Sequence, residues 1–402
     1  MKIQGKAKTA LKILKRPVFL GVILRDGLKI ANRKISDEEH MAKAIRWICR
    51  AQDVTGSGGV SESWSVKTGW AEPYPETTGY LIPTMLFYAH KMSDFSCIDR
   101  AIQMGEFELS IQNKDGSFPS SYGTGSIPLV FDTGQVLSGL IALYHETHEN
   151  KWLNAAVHAA DWIISKQEQD GSWVKGSHKK IPHTYYTRVA WQLFEMSAFT
   201  GNDRYHKAAE WHIRWVLSQR EDNDWINHMG FSFGVDPLTH TMAYTYEGLL
   251  ESSHYVNPIL KSTILATVTN AMQSVMKYSK PAGRNRRKIE ALPAFVDSSW
   301  RLYGRFSCLA GNAQLACLWL QLFKLTKNTE FWDAAMNTLE QLKSVQVITK
   351  SDHDLHGGLA GAFPVWGGYG SLSLINWSCK FFVDALLLKT SIISNQKNQH
   401  QI

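Results

Sequence analysis

The 402-residue sequence contains no run of about 18 or more apolar residues, so no segment reads as a membrane-spanning helix. Its N-terminus lacks an apolar core followed by a small-residue cleavage site, which argues against a secretory signal. The five cysteines (Cys49, Cys97, Cys308, Cys317, Cys379) are odd in number, far apart and set in apolar stretches. With no CxxC and no zinc spacing among them, they read as buried thiols in a reducing compartment, and a cytoplasmic protein is expected. There is no phosphate-binding P-loop, no GxGxxG and no clustered metal-ligand motif, so no nucleotide, redox cofactor or metal is expected. Strand signals are sparse, which leaves a parallel sheet unsupported.

Aromatic residues, by contrast, are plentiful: 15 Trp, 14 Tyr and 17 Phe. Such a load suits either a large aromatic core or a cleft that stacks sugar rings. The net charge of +7 is unevenly spread. Residues 2–34 hold ten basic side chains against the single acid Asp26, interleaved with Leu11, Ile13, Leu14, Val18, Phe19, Leu20, Val22, Ile23 and Leu24. This pattern delimits a basic amphipathic arm, residues 1–36, able to lie on an anionic membrane surface; solvated charge plus a strand or helix packed on the domain is the plainer reading. A second basic knot, Arg284, Arg286, Arg287 and Lys288, reads as a loop. No nucleic-acid-binding module accompanies the charge, so nucleic acid is not an expected partner. Nothing in the sequence fixes an oligomeric state.

Three segments repeat: Ile111 to Phe118 (IQNKDGSF), Lys166 to Trp173 (KQEQDGSW) and the weaker Ser218 to Trp225 (SQREDNDW). Their glutamines are 55 and 52 residues apart, and a fainter copy starts at Gln52 and ends in Gly56, Gly58 and Gly59. A period of this length marks an array of supersecondary units that bury their faces only by stacking. Before each glutamine runs an amphipathic helix, as with Trp152, Ala155, Ala156, Ala159, Trp162 and Ile163. After each glycine-aromatic turn come a loop and a second helix. The spacing predicts first helices over 38–51, 97–112, 152–167, 204–219, 258–278 and 329–345, and second helices over 77–90, 132–147, 184–199, 240–253, 307–325 and 371–389. Six of each close into an all-α ring, an (α/α)6 toroid over residues 37–392 with the first helices outside, followed by a polar tail, 393–402. Glycine and alanine on the second set (Gly134, Gly139, Ala190, Ala243, Gly248, Gly311, Ala313) suit helices crowded about an axis.

Gln167 to Trp173 resembles the Q-x-x-x-G-x-W repeat of terpene cyclases, and Gln112 to Phe118 does so with Phe for Trp. The hairpin array also resembles six-hairpin glycosidases, toroidal polysaccharide lyases and the C-terminal helical domain of glucuronyl C5-epimerases. The resemblance implies a toroid whose inner-helix N-termini and preceding loops form the rim of a cleft that handles an oligo- or polysaccharide.

Polar and aromatic residues gather where that rim falls. Tyr74 and Glu76 open the first inner helix, Asp132 and Gln135 the second, His183, Tyr185, Tyr186 and Arg188 the third, and His240, Tyr244 and Glu247 the fourth; Arg305, Asn312, Asn376 and Trp377 belong to the last two. His240, Tyr244 and Glu247 stand at i, i+4 and i+7, which places them on one face directed at the cleft. Arg188 suits a bidentate clamp on a carboxylate, or an ion pair with a glutamate of the next helix. Asp132, with Gln135 three residues on, also fits a helix cap and its capping-box partner, and Glu76 a first-turn acid favoured by the helix dipole. His178 and His183 flank a basic loop and are further substrate-binding candidates.

Three kinds of activity fit these residues. Proton abstraction beside a uronic-acid carboxylate, by elimination or C5 epimerisation, would use a tyrosine such as Tyr244 or Tyr186 as base or acid, provided that nearby cations lower its pKa, with Arg, Asn or His (His240 among the catalytic candidates) holding the carboxylate. Glycoside hydrolysis would draw two carboxylates from Glu76, Asp132 and Glu247. A glycan-binding scaffold needs only the aromatics. Terpene cyclisation lacks its D-x-D-D acid motif. The leading expectation is a lyase or epimerase acting on an anionic bacterial surface polysaccharide or its lipid-linked precursor, at the inner face of the cytoplasmic membrane.

Overall fold

The computed structural model describes residues 2–32, 34–123, 126–279 and 289–399; the second basic knot lies outside them. Two helices form the arm, α1 (Lys2–Leu14) and α2 (Pro17–Leu28). Twelve more build the ring. The inner set comprises α4 (Pro75–Met92), α6 (Val130–Thr147), α8 (Thr187–Thr200), α10 (Thr239–Ser252), α12 (Leu309–Thr326) and α14 (Asn376–Gln399). The outer set comprises α3 (Asp37–Asp53), α5 (Ser96–Ile111), α7 (Asn150–Ser165), α9 (Asp203–Ser218), α11 (Pro258–Met276) and α13 (Thr329–Val345). Each inner helix packs on the next, α4 on α6 and so on to α12 on α14, and α14 returns to α4, so the ring closes. The (α/α)6 toroid is the observed fold. The residues expected to form a polar tail continue α14 as far as Gln399.

The repeat turns out to be the stitch of the outer ring. Gln112 Nε2 donates to the carbonyl of Gly116 in its own turn and to that of Ala155 on α7, each at 3.0 Å. Gln167 bridges Gly171 and Ala208 of α9 in the same way, and Gln52 bridges Gly58 and Arg100 of α5. Gln346 bridges Gly357 and His40 of α3, which joins the last outer helix to the first. Gln219 makes no such bridge; there Arg220 Nη1 reaches Thr267 Oγ1 of α11 at 2.9 Å. The glycine is required twice over. Gly171 has φ +89, and a Cβ on it would stand 2.6 Å from the Trp211 carbonyl oxygen.

Side-chain caps start four of the outer helices. Ser36 and Glu39 form a reciprocal capping box on α3, and Asn202, Asn257 and Asn328 cap α9, α11 and α13. The inner helices α4, α6, α8, α10 and α12 start without a side-chain cap, as do the outer helices α5 and α7. At the end of the axis where the inner helices begin, loop carbonyls take the first N–H of three of them, Val130 donating to Gly176, Thr239 to Ala294 and Leu309 to Gly361. Short strands dress that end. β1 (Ser63–Ser65) pairs antiparallel with β2 (Gly69–Trp70) and, Trp64 against Leu374, with β7 (Ser373–Ile375). The pairs β3 (Phe295–Val296) with β4 (Leu302–Tyr303), and β5 (Ser307–Cys308) with β6 (Ala362–Phe363), complete the rim.

Inner helices touch through glycine. A Cβ on Gly79 of α4 would meet Val136 Cα at 2.5 Å, and one on Gly311 of α12 would meet the His240 nitrogen at 2.5 Å. Both neighbours are backbone atoms that cannot swing aside. Gly79→Ala is therefore expected to destabilise the protein by about 1–3 kcal/mol through overpacking, read as a lower denaturant midpoint; an unchanged or raised midpoint would refute the close approach.

Candidate functional site

At the uncapped end of the inner ring lies a cleft of about 270 Å³. Glu76 and Asp132 approach it from α4 and α6, and Glu62 from the loop before β1. Asp132 is the third residue of α6, whose N-cap is Leu129, so it does not serve as the cap that its spacing from Gln135 suggested. Glu76 is the second residue of α4, behind Pro75. Tyr74 donates its hydroxyl to Glu76 Oε2 at 2.6 Å.

Burial dominates the electrostatics. Desolvation pushes Glu76 up to about 7, moderated by the Tyr74 hydrogen bond and by the positive charge of Arg188. Asp132, 4% exposed with Oδ2 unpartnered, is driven well above the carboxylate range, first by burial and then by the charge of Glu76. Burial also raises Glu62. Burial and mutual repulsion thus make it costly for this coupled pair to carry two negative charges at once.

The walls are aromatic: Tyr80, Phe131, Tyr185, Tyr244, Tyr369 and Trp377 among them. Phe131 sits edge-on to Tyr185 with ring centroids 5.1 Å apart. Trp377 Nε1 donates to the Tyr369 hydroxyl at 3.0 Å. Every cleft tyrosine is pushed up, chiefly by burial: Tyr74, Tyr80, Tyr185, Tyr186, Tyr244 and Tyr369. A phenolate at Tyr244 or Tyr186 needs the opposite shift, which removes the physical basis for tyrosine as base. His240 is held neutral, lowered to about 4 by burial, with Nδ1 2.5 Å from Gln314 Oε1, an oxygen that can only accept.

Of the residues singled out from the sequence, Tyr74, Glu76, Asp132, Tyr185, Tyr186, His240, Tyr244 and Trp377 line the cleft. Glu247 and Arg188 do not. They pair with each other at 2.7 Å beneath the floor, where Arg188 Nε also donates to Gln135 Oε1 at 3.0 Å and the guanidinium lies 5.0 Å from the Tyr244 ring centre. The proposed carboxylate clamp is thus occupied by the protein's own carboxylate, and Gln135 serves that pair.

His183 is buried between the carbonyl oxygens of Gly230 and His178, 3.1 and 2.9 Å from its ring nitrogens, and burial lowers it to about 4. It holds the loops that bring His178 and Phe231 to the cleft. Asn376 spans Ser61 O and Thr77 Oγ1, tying α14 to α4. Asn312 is buried within α12 away from the lining, and Arg305 is exposed. Sequence reasoning missed Glu62 and Phe231, which sit in loops without periodicity. Tyr80, which closes the first rim segment one turn after Glu76, lines the cleft as well.

The family model of the squalene-hopene cyclase C-terminal domain matches residues 71–247. No curated protein matches the sequence. Among solved structures, an unsaturated glucuronyl hydrolase specific for heparin superposes with a TM-score of 0.68 at 13% identity, covering 89% of this chain and 98% of that one. The unsaturated glucuronyl hydrolase of Bacillus sp. GL1 gives 0.64 at 15% identity, with coverage of 88% and 96%. A family 88 glycosyl hydrolase from Bacteroides vulgatus gives 0.62 at 12% identity, with coverage of 88% and 99%. At these identities the likeness defines the class of fold, an (α/α)6 toroid, and leaves the chemistry to the residues of the site.

Proposed function

We propose that this protein is a glycan hydrolase whose acid and base are Asp132 and Glu76. The observation that carries the reading is the meeting of two buried carboxylates, from the first turns of adjacent inner helices, in an aromatic cleft. Asp132, kept protonated, donates its proton to the leaving glycosidic oxygen. Glu76, ionised above about 7 and oriented by Tyr74, acts from the other side on water or on the anomeric carbon. The aromatic walls stack the sugar faces. The solved neighbours named as unsaturated glucuronyl hydrolases and as a family 88 glycosyl hydrolase support a hydrolase over a lyase or epimerase.

Substrate charge follows from the same lining. Three carboxylates face the cleft, and none of the described lining residues is Lys or Arg. A uronate would enter without a counter-charge, at the desolvation cost of a buried anion. A neutral sugar at the scissile position meets no such penalty.

The test is incubation with paired oligosaccharides, uronate-containing and carboxyl-reduced, in D2O, following reducing ends, enoate absorbance and deuterium at C5. Reducing ends are expected, faster from the carboxyl-reduced member, with kcat/KM rising as pH passes upward through about 7 because Glu76 must lose its proton. New absorbance or deuterium without reducing ends would restore elimination or epimerisation. Binding without any product would leave a glycan-binding scaffold.

A further inference from the structure

The arm is the one sequence feature that the cleft chemistry leaves unused. Its α2 is anchored firmly. Phe19 is fully buried against Trp64, ring centroids 5.5 Å apart, and Val22 is buried beside it. The buried Asp26 accepts from the Val365 amide at 2.8 Å and from Arg25 Nε at 2.9 Å, while Arg25 Nη1 donates to the Gln346 carbonyl at 3.3 Å. Arg16 reaches Asp352 at 3.1 Å. One face of α2 thus belongs to the domain core.

The opposite face has no such partner. Pro17, Gly21, Leu24 and Leu28, spaced three and four apart, are all exposed, Leu24 at 57% and Leu28 at 67%. Leu11 and Leu14 of α1, which packs on α2, are exposed at 55% and 63%, and Ile30 follows. Trp366 extends the patch: its Cη2 lies 3.6 Å from where a Cβ on Gly27 would stand, and its ring is half exposed. Around these apolar groups stand Lys8, Lys12, Lys15 and Lys29, all exposed and forming no ion pair among the described residues, although the Lys12 ammonium donates to the Lys67 carbonyl. The arm's only acid, Asp26, is buried and already paired.

We propose that the α1–α2 hairpin is a docking surface for a bilayer leaflet carrying anionic lipid, with Leu11, Leu14, Leu24, Leu28 and Trp366 entering the headgroup boundary and the lysines meeting lipid phosphates. Charge complementarity selects this occupant. Lysines with aliphatic stems flank an apolar row, and among the described residues Lys8, Lys12, Lys15 and Lys29 have no carboxylate partner. The hairpin is seated on the loops that carry Glu62 and Trp377 to the cleft, through Trp64 of β1 and through Val365 and Trp366 ahead of β7. Docking therefore engages an element that adjoins the rim of the cleft, and a lipid-linked glycan is the substrate this suits; this last step alone rests on the hydrolase reading.

The test is flotation of the full-length protein with vesicles of phosphatidylcholine, alone or mixed with phosphatidylglycerol. Binding is expected only to the anionic vesicles and to weaken with salt. The doubly substituted Leu24→Glu/Leu28→Glu protein should lose at least about tenfold in vesicle affinity, and Lys8→Glu/Lys15→Glu should lose binding to a similar degree, since about 1.4 kcal/mol corresponds to tenfold. These side chains are exposed, so an unchanged thermal melt should confirm that the variants fold. Failure of the wild-type protein to float with anionic vesicles, or equal binding by the leucine variant, would overturn the proposal. So would a wild-type dimer that ignores vesicles and dissociates in the leucine variant, which would assign the face to a second copy. Hydrolysis of soluble glycans by the leucine variant at the wild-type rate would separate a failure of docking from a failure of the hydrolase reading.

Discussion

Asp132→Asn is expected to lower glycan turnover by about a thousandfold, the scale of losing a positioned general acid, without unfolding the protein. The native carboxyl is buried, carries an unpartnered Oδ2 and is pushed well above the carboxylate range by burial and by the charge of Glu76, so a neutral, nearly isosteric asparagine suits the site. The linkage sign supports this. A carboxyl whose folded pKa is raised binds its proton more tightly in the folded state, so its contribution to stability falls as pH rises above the unfolded value of about 3.9. Asparagine removes that dependence, and the variant should melt at the wild-type temperature or above it at neutral pH. Because Glu76 must still lose its proton to act as base, residual activity should keep a rising limb with pH. Turnover close to wild type in a folded Asp132→Asn protein would sink the assignment.

The ring was readable because its signal is dense. Every outer helix except the fifth is followed by a glutamine that stitches or a substitute that does similar work, and glycine or alanine recurs on the inner helices α6, α8, α10 and α12. What escaped notice has a physical reason in each case. Gln346 was hidden because its turn glycine, Gly357, stands eleven residues on rather than four. The expected start of the last inner helix at 371 falls too early because residues 373–375 pair with β1, a contact across some 310 residues of chain that no local pattern encodes. At the third inner helix, residues 184–186 form a 3-10 turn before α8 begins at Thr187.

The site was legible in direction but not in depth. Periodicity correctly placed His240, Tyr244 and Glu247 on the axial face of α10, yet seven residues advance a helix by about 10 Å. The first two reach the cleft; the third lies below its floor, within reach of Arg188 on α8. Glu76 and Asp132 escaped this error because both fall in the first turn, where position along the helix and position at the rim coincide. A tyrosine-rich rim likewise suggested tyrosine chemistry until burial fixed the sign of every shift.

Arg188→Met is expected to cost about 3–5 kcal/mol of stability, because it strands the Glu247 carboxylate in the interior. Arg188 is 3% exposed and Glu247 15% at the side chain, so solvent cannot take over the lost partner. The double substitution Arg188→Met/Glu247→Leu should recover most of that loss, since two apolar side chains leave no orphaned charge. A denaturant midpoint in the double variant as low as in the single one would show that shape, not charge pairing, holds the layer. The same pair reaches the chemistry. Arg188 lowers Glu76, so neutralising it should move the rising limb of kcat/KM to higher pH, in the double variant as in the single one. A stability that recovers while the pH limb stays displaced would separate the two roles of the guanidinium: cement for the inner ring, and the positive charge that keeps the base of the cleft within reach of neutral pH.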